Sequence, residues 1–119
     1  MRIAVSCKEN RKDADVDERF GRAPCFCIYD TDSDSFEFIN NNQAYNSPSG
    51  AGVQAAQHIV ESDVSALLTG HCGPKAFRAL SAAEIKIYIN VSGTLQEAIE
   101  AFKKGELTSA ENADVEGHW

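Results

Sequence analysis

The sequence predicts an α/β domain: a five-stranded mixed sheet of strand order 3-2-1-4-5 with helices packed on it. Two observations carry that reading. Apolar runs rich in β-branched and aromatic residues come first in succession and later alternate with helical patterns, giving βββαβαβα. The last two runs follow helix-length connections, which favour parallel, right-handed crossovers. The 119 residues suit one domain, drawn at residues 1–107 with an irregular tail over 108–119.

"RIAVSC" is the first strand, and "KENRKDADVDERFGRA" after it is too charged for a core element and reads as a loop. "PCFCIYD" and "FEFIN" form a hairpin across "TDSDS", whose Asp, Ser and Thr suit a turn. "NNNQAYNSPSG" is a second loop. From Gly50 to about Glu61, Val53, Ala56, Ile59 and Val60 keep helical spacing. "VSALLTG" is nearly all apolar, as a central strand would be. Pro74 stands at a helix start, with Ala76, Phe77 and Leu80 on one face. "IKIYIN" alternates Ile85, Ile87 and Ile89 with Lys86 and Tyr88, as an edge strand with one exposed face does. Thr94 and Glu97 make a capping box for a last helix, which carries Leu95, Ala98, Ile99 and Phe102 and stops at Gly105.

A formal charge of −7 argues against a general nucleic-acid binder. Yet Arg2, Lys8, Arg11, Lys12, Arg19 and Arg22 all lie within the first 22 residues, so a local anion site is compatible. No apolar run approaches a membrane span and no secretory leader opens the sequence. A cytoplasmic protein is therefore expected, its four cysteines reduced: Cys7, Cys25, Cys27 and Cys72.

In the 3-2-1-4-5 order, Cys7, Cys25 and the His71–Cys72 pair converge on one edge of the sheet. The helices beginning at Gly50, Gly73 and Thr94 start there too. The gap between the first and fourth strands is the usual ligand crevice of an open α/β sheet, and helix N-termini favour an anion in it. A cysteine at such a terminus is biased toward thiolate.

"ERFGRAPCFCIYD", "GAGVQAAQHIVESDVSALLTGHCGPKAF" and "IKIYINVSGTLQEAIEAFKKGEL" resemble the dinitrogenase iron–molybdenum cofactor biosynthesis family from Met1 to about Leu107. The resemblance implies a ribonuclease-H-like fold. It also implies a non-catalytic carrier that binds, stores or delivers an anionic metal–sulfur cluster containing iron, molybdenum or both. Its partners would be cluster donor or acceptor proteins, with neither nucleic acid nor membrane involved. The expected cofactor-binding residues are Arg19, Phe20, Gly21, Arg22, Gly50, Gly52, Gly70 and Gly73, and the candidate metal ligands are Cys72, His71, Cys7 and Cys25. Members of the family often have a histidine before Phe-Gly where this sequence has Arg19, which would instead face the cluster's negative charge.

Competing readings stand beside this one. A cysteine-based redox enzyme or sensor would pair Cys72 with Cys7 or Cys25, and an interaction module would leave the crevice without metal. Cys27 is expected in the core, with Cys25 on the same face of its strand. Cys-x-Cys with adjacent His-Cys departs from structural zinc spacings. "GAGVQA" fits a dinucleotide fingerprint but lacks the preceding tight turn and the later acidic residue. A two-metal nuclease would need carboxylates on "RIAVSC" or "VSALLTG", which have none. Asp13, Asp15, Asp17 and Glu18 are read as a solvated surface. His118 and Trp119 are read as a flexible end or a lid.

Overall fold

The computed structural model describes residues 1–41 and 51–110. Five strands form one sheet: β1 (Arg2–Cys7), β2 (Cys25–Asp30), β3 (Ser35–Asn40), β4 (Ala66–Leu68) and β5 (Lys86–Tyr88). Their order is β3-β2-β1-β4-β5. The hairpin strands are antiparallel to their neighbours, whereas β4 runs parallel to β1 and β5 parallel to β4. Fold class and strand order are therefore those the sequence predicts.

Side chains alternate across a strand, and that rule sorts the interior into two layers. Ala4, Phe26, Ile28, Leu67 and Ile87 pack on one side under α1 (Ala51–Glu61) and α2 (Pro74–Ala82). Ile3, Val5, Cys27, Tyr29 and Leu68 pack on the other under α3 (Leu95–Lys103). Because β1 is covered on both faces, its last five residues are all buried. Leu67, at the centre of the first layer, is 0 % exposed, a burial that contributes about 2–3 kcal/mol.

The local signals at helix ends hold. Thr94 Oγ1 accepts the Glu97 N–H at 3.1 Å and Glu97 Oε1 accepts the Thr94 N–H at 2.9 Å, so the capping box is complete. Gly105 follows α3 at a φ of 71°, the left-handed conformation that glycine adopts without a Cβ penalty. Pro74 opens α2 after Gly73.

Four expectations differ. In α1 the core face is Ala51, Ala55, Ala56 and Ile59, while Val53 and Val60 are exposed; the small residues allow a closer approach to the sheet than the valines would. On β5, Tyr88 is half-buried rather than exposed, because Phe102 of α3 meets it edge-on at 5.5 Å. The tail is ordered at its start, where Ser109 bridges Tyr88 and the Ala110 N–H donates to the Ile87 carbonyl at 2.7 Å, covering the β5 edge. His118 and Trp119 lie outside the described residues.

The fourth difference shapes the site. The charged segment after β1 is a loop, as expected, and residues 8–13 are exposed, but it is not solvated throughout. "DADV" alternates with a period of two, burying Ala14 and Val16 while Asp13 and Asp15 stay exposed, and Asp17 breaks the alternation by being buried as well. Val16 N–H donates to Gly93 O at 2.8 Å and Leu95 N–H to Ala14 O at 2.9 Å, tying the segment to the approach to α3.

Candidate functional site

At the top of the sheet β1 and β4 lie side by side, and the chain leaves them in different directions. The segment after β1 crosses the ends of both strands. Asp17 N–H donates to Ser6 O at 2.9 Å, and Ser6 Oγ returns a bond to Asp17 O at 2.6 Å. With its proton so used, Ser6 Oγ accepts from Thr69 Oγ1 at 2.8 Å. Both hydroxyl residues are fully buried, so this network fixes the crossing with its polar groups paired.

Beyond Asp17 the segment becomes a short parallel partner of the chain leaving β4. His71 N–H donates to Glu18 O at 2.7 Å and Phe20 N–H to His71 O at 3.3 Å, which brings Arg19 and His71 side by side. Gly70 makes the approach possible. A Cβ there would stand 2.6 Å from both the Cβ and the carbonyl oxygen of Glu18.

Above this junction is an open cleft of about 250 Å³ lined by Lys8, Asp17, Glu18, Arg19 and His71. The Asp17 carboxylate is tucked beneath it, accepting the Arg19 N–H at 3.0 Å and lying 3.7 Å from Arg19 Nε. Lys8, Glu18 and Arg19 are exposed and His71 is half-buried.

Extended backbone turns adjacent residues opposite ways, and this divides the pairs that look joined in sequence. Arg19 and His71 line the cleft, whereas Phe20 and Cys72 are buried in the α1/α2 layer. The Cys72 Sγ lies 3.7 Å from Gly73 O. Cys7 and Cys25 belong to the opposite layer, under α3. The four candidate ligands thus do not form one set: His71 lies at the cleft, and the cysteines are distributed across two core layers. Among the described residues no group of three or more His, Cys, Asp or Glu is disposed to hold a metal ion.

The remaining expected binding residues also separate. Phe20–Arg22 is a 3-10 turn with Phe20 and Gly21 buried, and Arg22 is half-buried at its end. Gly52 is half-buried in the first turn of α1, and Gly73 is the buried N-cap residue of α2. Gly70 serves the Glu18 approach, so its missing side chain is explained by chain packing. Gly50 lies outside the described residues. Of the three helix starts, that of α3 is filled by its own capping box with the Glu97 carboxylate, so it offers no positive end to a ligand. Lys8, Asp17, Ser6 and Thr69 were not expected at the site. No sequence signal marked Asp17, which the Asp-Ala-Asp-Val-Asp alternation would place with the exposed Asp13 and Asp15; for Ser6 and Thr69 the signal was their place at the ends of two central strands.

Under α3, Cys7 and Cys25 face each other with sulfurs 3.3 Å apart. The hydrogen bond from Cys7, before any other cause, lowers the Cys25 thiol below its ordinary value. The same bond, with burial, raises Cys7. Burial, followed by the charge of Cys25, pushes Cys27 up to about 12.

This is an open α/β sheet with helices on both faces and a cleft at the gap between its two central parallel strands, the position where sheets of this class place their ligand sites. More particularly, this chain belongs to the family described as dinitrogenase iron-molybdenum cofactor, which it matches over residues 1–105. It is similar to the orange protein of Desulfovibrio gigas in its apo form, at 38 % identity and a TM-score of 0.93 over 96 % of each chain. It is also similar to a Thermotoga protein described as NifB-type, at 35 % identity and a TM-score of 0.84 over 98 % of each chain. An uncharacterised protein of Methanocaldococcus jannaschii is 28 % identical over 113 residues, 93 % of this chain and 92 % of the relative. Family and neighbours agree on a cofactor-associated protein.

Proposed function

We propose that this protein is a carrier whose cargo is an anionic metal–sulfide cluster, containing iron, molybdenum or both, held in the cleft over the β1/β4 gap. The observation that carries the reading is the cleft lining itself: Lys8, Arg19 and His71, with the carboxylates of Asp17 and Glu18, gathered from two chain segments around an open space of about 250 Å³. Such a space admits a small inorganic anion. The cations and N–H donors act by charge and hydrogen bonding, since the thiols are turned into the core. Holding without ligation suits storage and delivery to donor or acceptor proteins, because release then breaks no metal–sulfur bond to the protein. The family and the orange-protein neighbour, both cofactor-associated, support a carrier over a catalyst. No helix among them is long and apolar enough to cross a membrane, and a cytoplasmic setting suits reduced thiols.

The test is anaerobic loading of the reduced protein with tetrathiomolybdate, desalting, and measurement of the visible spectrum and of metal content. A stoichiometric chromophore should survive in the wild type. Arg19→Ala and Lys8→Ala should each weaken binding at least roughly tenfold, the effect of one lost charge-assisted contact, while Cys72→Ser should bind as the wild type does. Loss of binding in Cys72→Ser alone would refute the electrostatic account. A colourless wild-type protein, loaded with either tetrathiomolybdate or iron and sulfide, would refute the carrier reading.

A further inference from the structure

Two thiols that the cleft does not use stand opposed across the sheet. Cys7 is the last residue of β1 and Cys25 the first of β2, and the two are register partners. Directly opposed residues on antiparallel strands have Cα atoms about 4.5–5.5 Å apart, within the roughly 4.4–6.8 Å that a disulfide spans. Their sulfurs are 3.3 Å apart, so closing to a bond of about 2.05 Å needs little more than about 1 Å of movement. Cys27, on the same face, is opposite Val5, and Cys72 lies in the other layer. The architecture therefore selects one pair among four thiols.

We propose that Cys7 and Cys25 form a peroxide-oxidisable dithiol that closes to a reversible disulfide. The oxidant is a small hydroperoxide, a class compact enough to reach Cys25, which is 3 % exposed beside a fully buried Cys7. The Cys25 thiolate attacks one peroxide oxygen: a sulfur–oxygen bond forms, the oxygen–oxygen bond breaks, and hydroxide leaves and takes up a proton to become water. Cys7 then attacks the sulfenic sulfur, forming the sulfur–sulfur bond. Its thiol proton joins the departing hydroxide as a second water. Two thiols and one hydrogen peroxide become one disulfide and two waters, and a dithiol reductant returns the two electrons and two protons.

The bond would close a loop from 7 to 25 that contains Lys8, Asp17 and Arg19, stapling the base of the segment that builds the cleft. This assignment stands whether or not the cleft holds a cluster, since it concerns thiols on the opposite side of the sheet from Cys72.

The experiment treats the reduced, folded, full-length protein with a molar excess of hydrogen peroxide. It then quenches, denatures, labels free thiols with N-ethylmaleimide, and maps masses of the intact chain and its peptides. The expected product is lighter by two hydrogens, carries two labels, on Cys27 and Cys72, and yields a Cys7–Cys25 linked peptide that dithiothreitol abolishes. Cys27→Ala and Cys72→Ala should form the same link. Four labels remaining, a link through Cys27 or Cys72, sulfinic acid on Cys25 without a link, or a disulfide formed only in denaturant would each overturn the proposal. The wild-type map decides this without any variant at Cys7 or Cys25.

Discussion

Replacing Gly70 by alanine puts one methyl group into the tightest junction of the molecule. The new Cβ would meet the Cβ and carbonyl oxygen of Glu18 at 2.6 Å and its Cα at 2.7 Å. Two of those three atoms are backbone, so no rotamer change relieves the contact. Opening 2.6 Å to the 3.4 Å of ordinary contact requires Glu18 to retreat by about 0.8 Å. The same carbonyl accepts the His71 N–H at 2.7 Å, and an equal retreat stretches that bond past the roughly 3.2 Å limit of good geometry. Overpacking costs about 1–3 kcal/mol and the weakened bond about 1 kcal/mol more. The expected loss is thus about 2–4 kcal/mol, or roughly 8–16 °C in Tm at about 4 °C per kcal/mol for a chain of this size. Urea and thermal unfolding measured together check it. A Gly70→Ala protein within about 0.5 kcal/mol of wild type, the usual range for a surface change, would refute the packing argument and return Gly70 to the ligand.

Two further outcomes follow from the network and the cap. Ser6→Ala leaves the Asp17 carbonyl and the Thr69 hydroxyl without their buried partner and should cost about 1–3 kcal/mol in urea unfolding; a neutral result would mean that water replaces the hydroxyl. In α3, the Thr94 N–H holds the Glu97 carboxyl below its ordinary value of 4.5. A carboxylate whose folded pKa is depressed contributes stability that is present above the unfolded pKa and lost as pH falls through the folded one. Glu97→Gln keeps the capping pattern without the titrating group, so its stability should fall less steeply than wild type on acidification below about pH 4.5; parallel curves would contradict that.

Strand order and helix ends were legible because each rests on a local rule: connection length for parallel pairing, Thr94 with Glu97 for a helix start, Gly105 for a stop. Arg19, singled out by its place before Phe20-Gly21, lines the cleft. What misled was treating neighbours in sequence as neighbours in space. His71 and Cys72 look like a ligand pair, yet side chains two apart share a face of extended backbone and adjacent ones do not. By the same rule Cys25 and Cys27 share a face, and the hairpin register adds Cys7 to it. The charged segment hid its period of two, because three aspartates outweigh Ala14 and Val16 in any hydropathy average. The Gly70 contact was illegible for a different reason: nothing in the sequence says which segment crosses the end of β4.

Under the proposed function, a chain of formal charge −7 would receive its anion by local arithmetic. Lys8 and Arg19 offset Asp17 and Glu18 in the cleft lining, so the site is formally neutral with His71 neutral, against a strongly negative remainder. It therefore repels an anion less than the net charge of the chain suggests, without being a deep positive well. Arg19 cannot give its whole charge to a cargo while it stands 3.7 Å from the buried Asp17 carboxylate, and the exposed ends of Lys8 and Arg19 are screened within about 8 Å at physiological salt. A site of that kind would bind with moderate strength and release readily, as the proposed delivery role requires. A thiolate cage would not release its cargo so readily. The burial of all four cysteines away from the cleft and the partial neutralisation of Arg19 by Asp17 thus point the same way, toward exchange over capture.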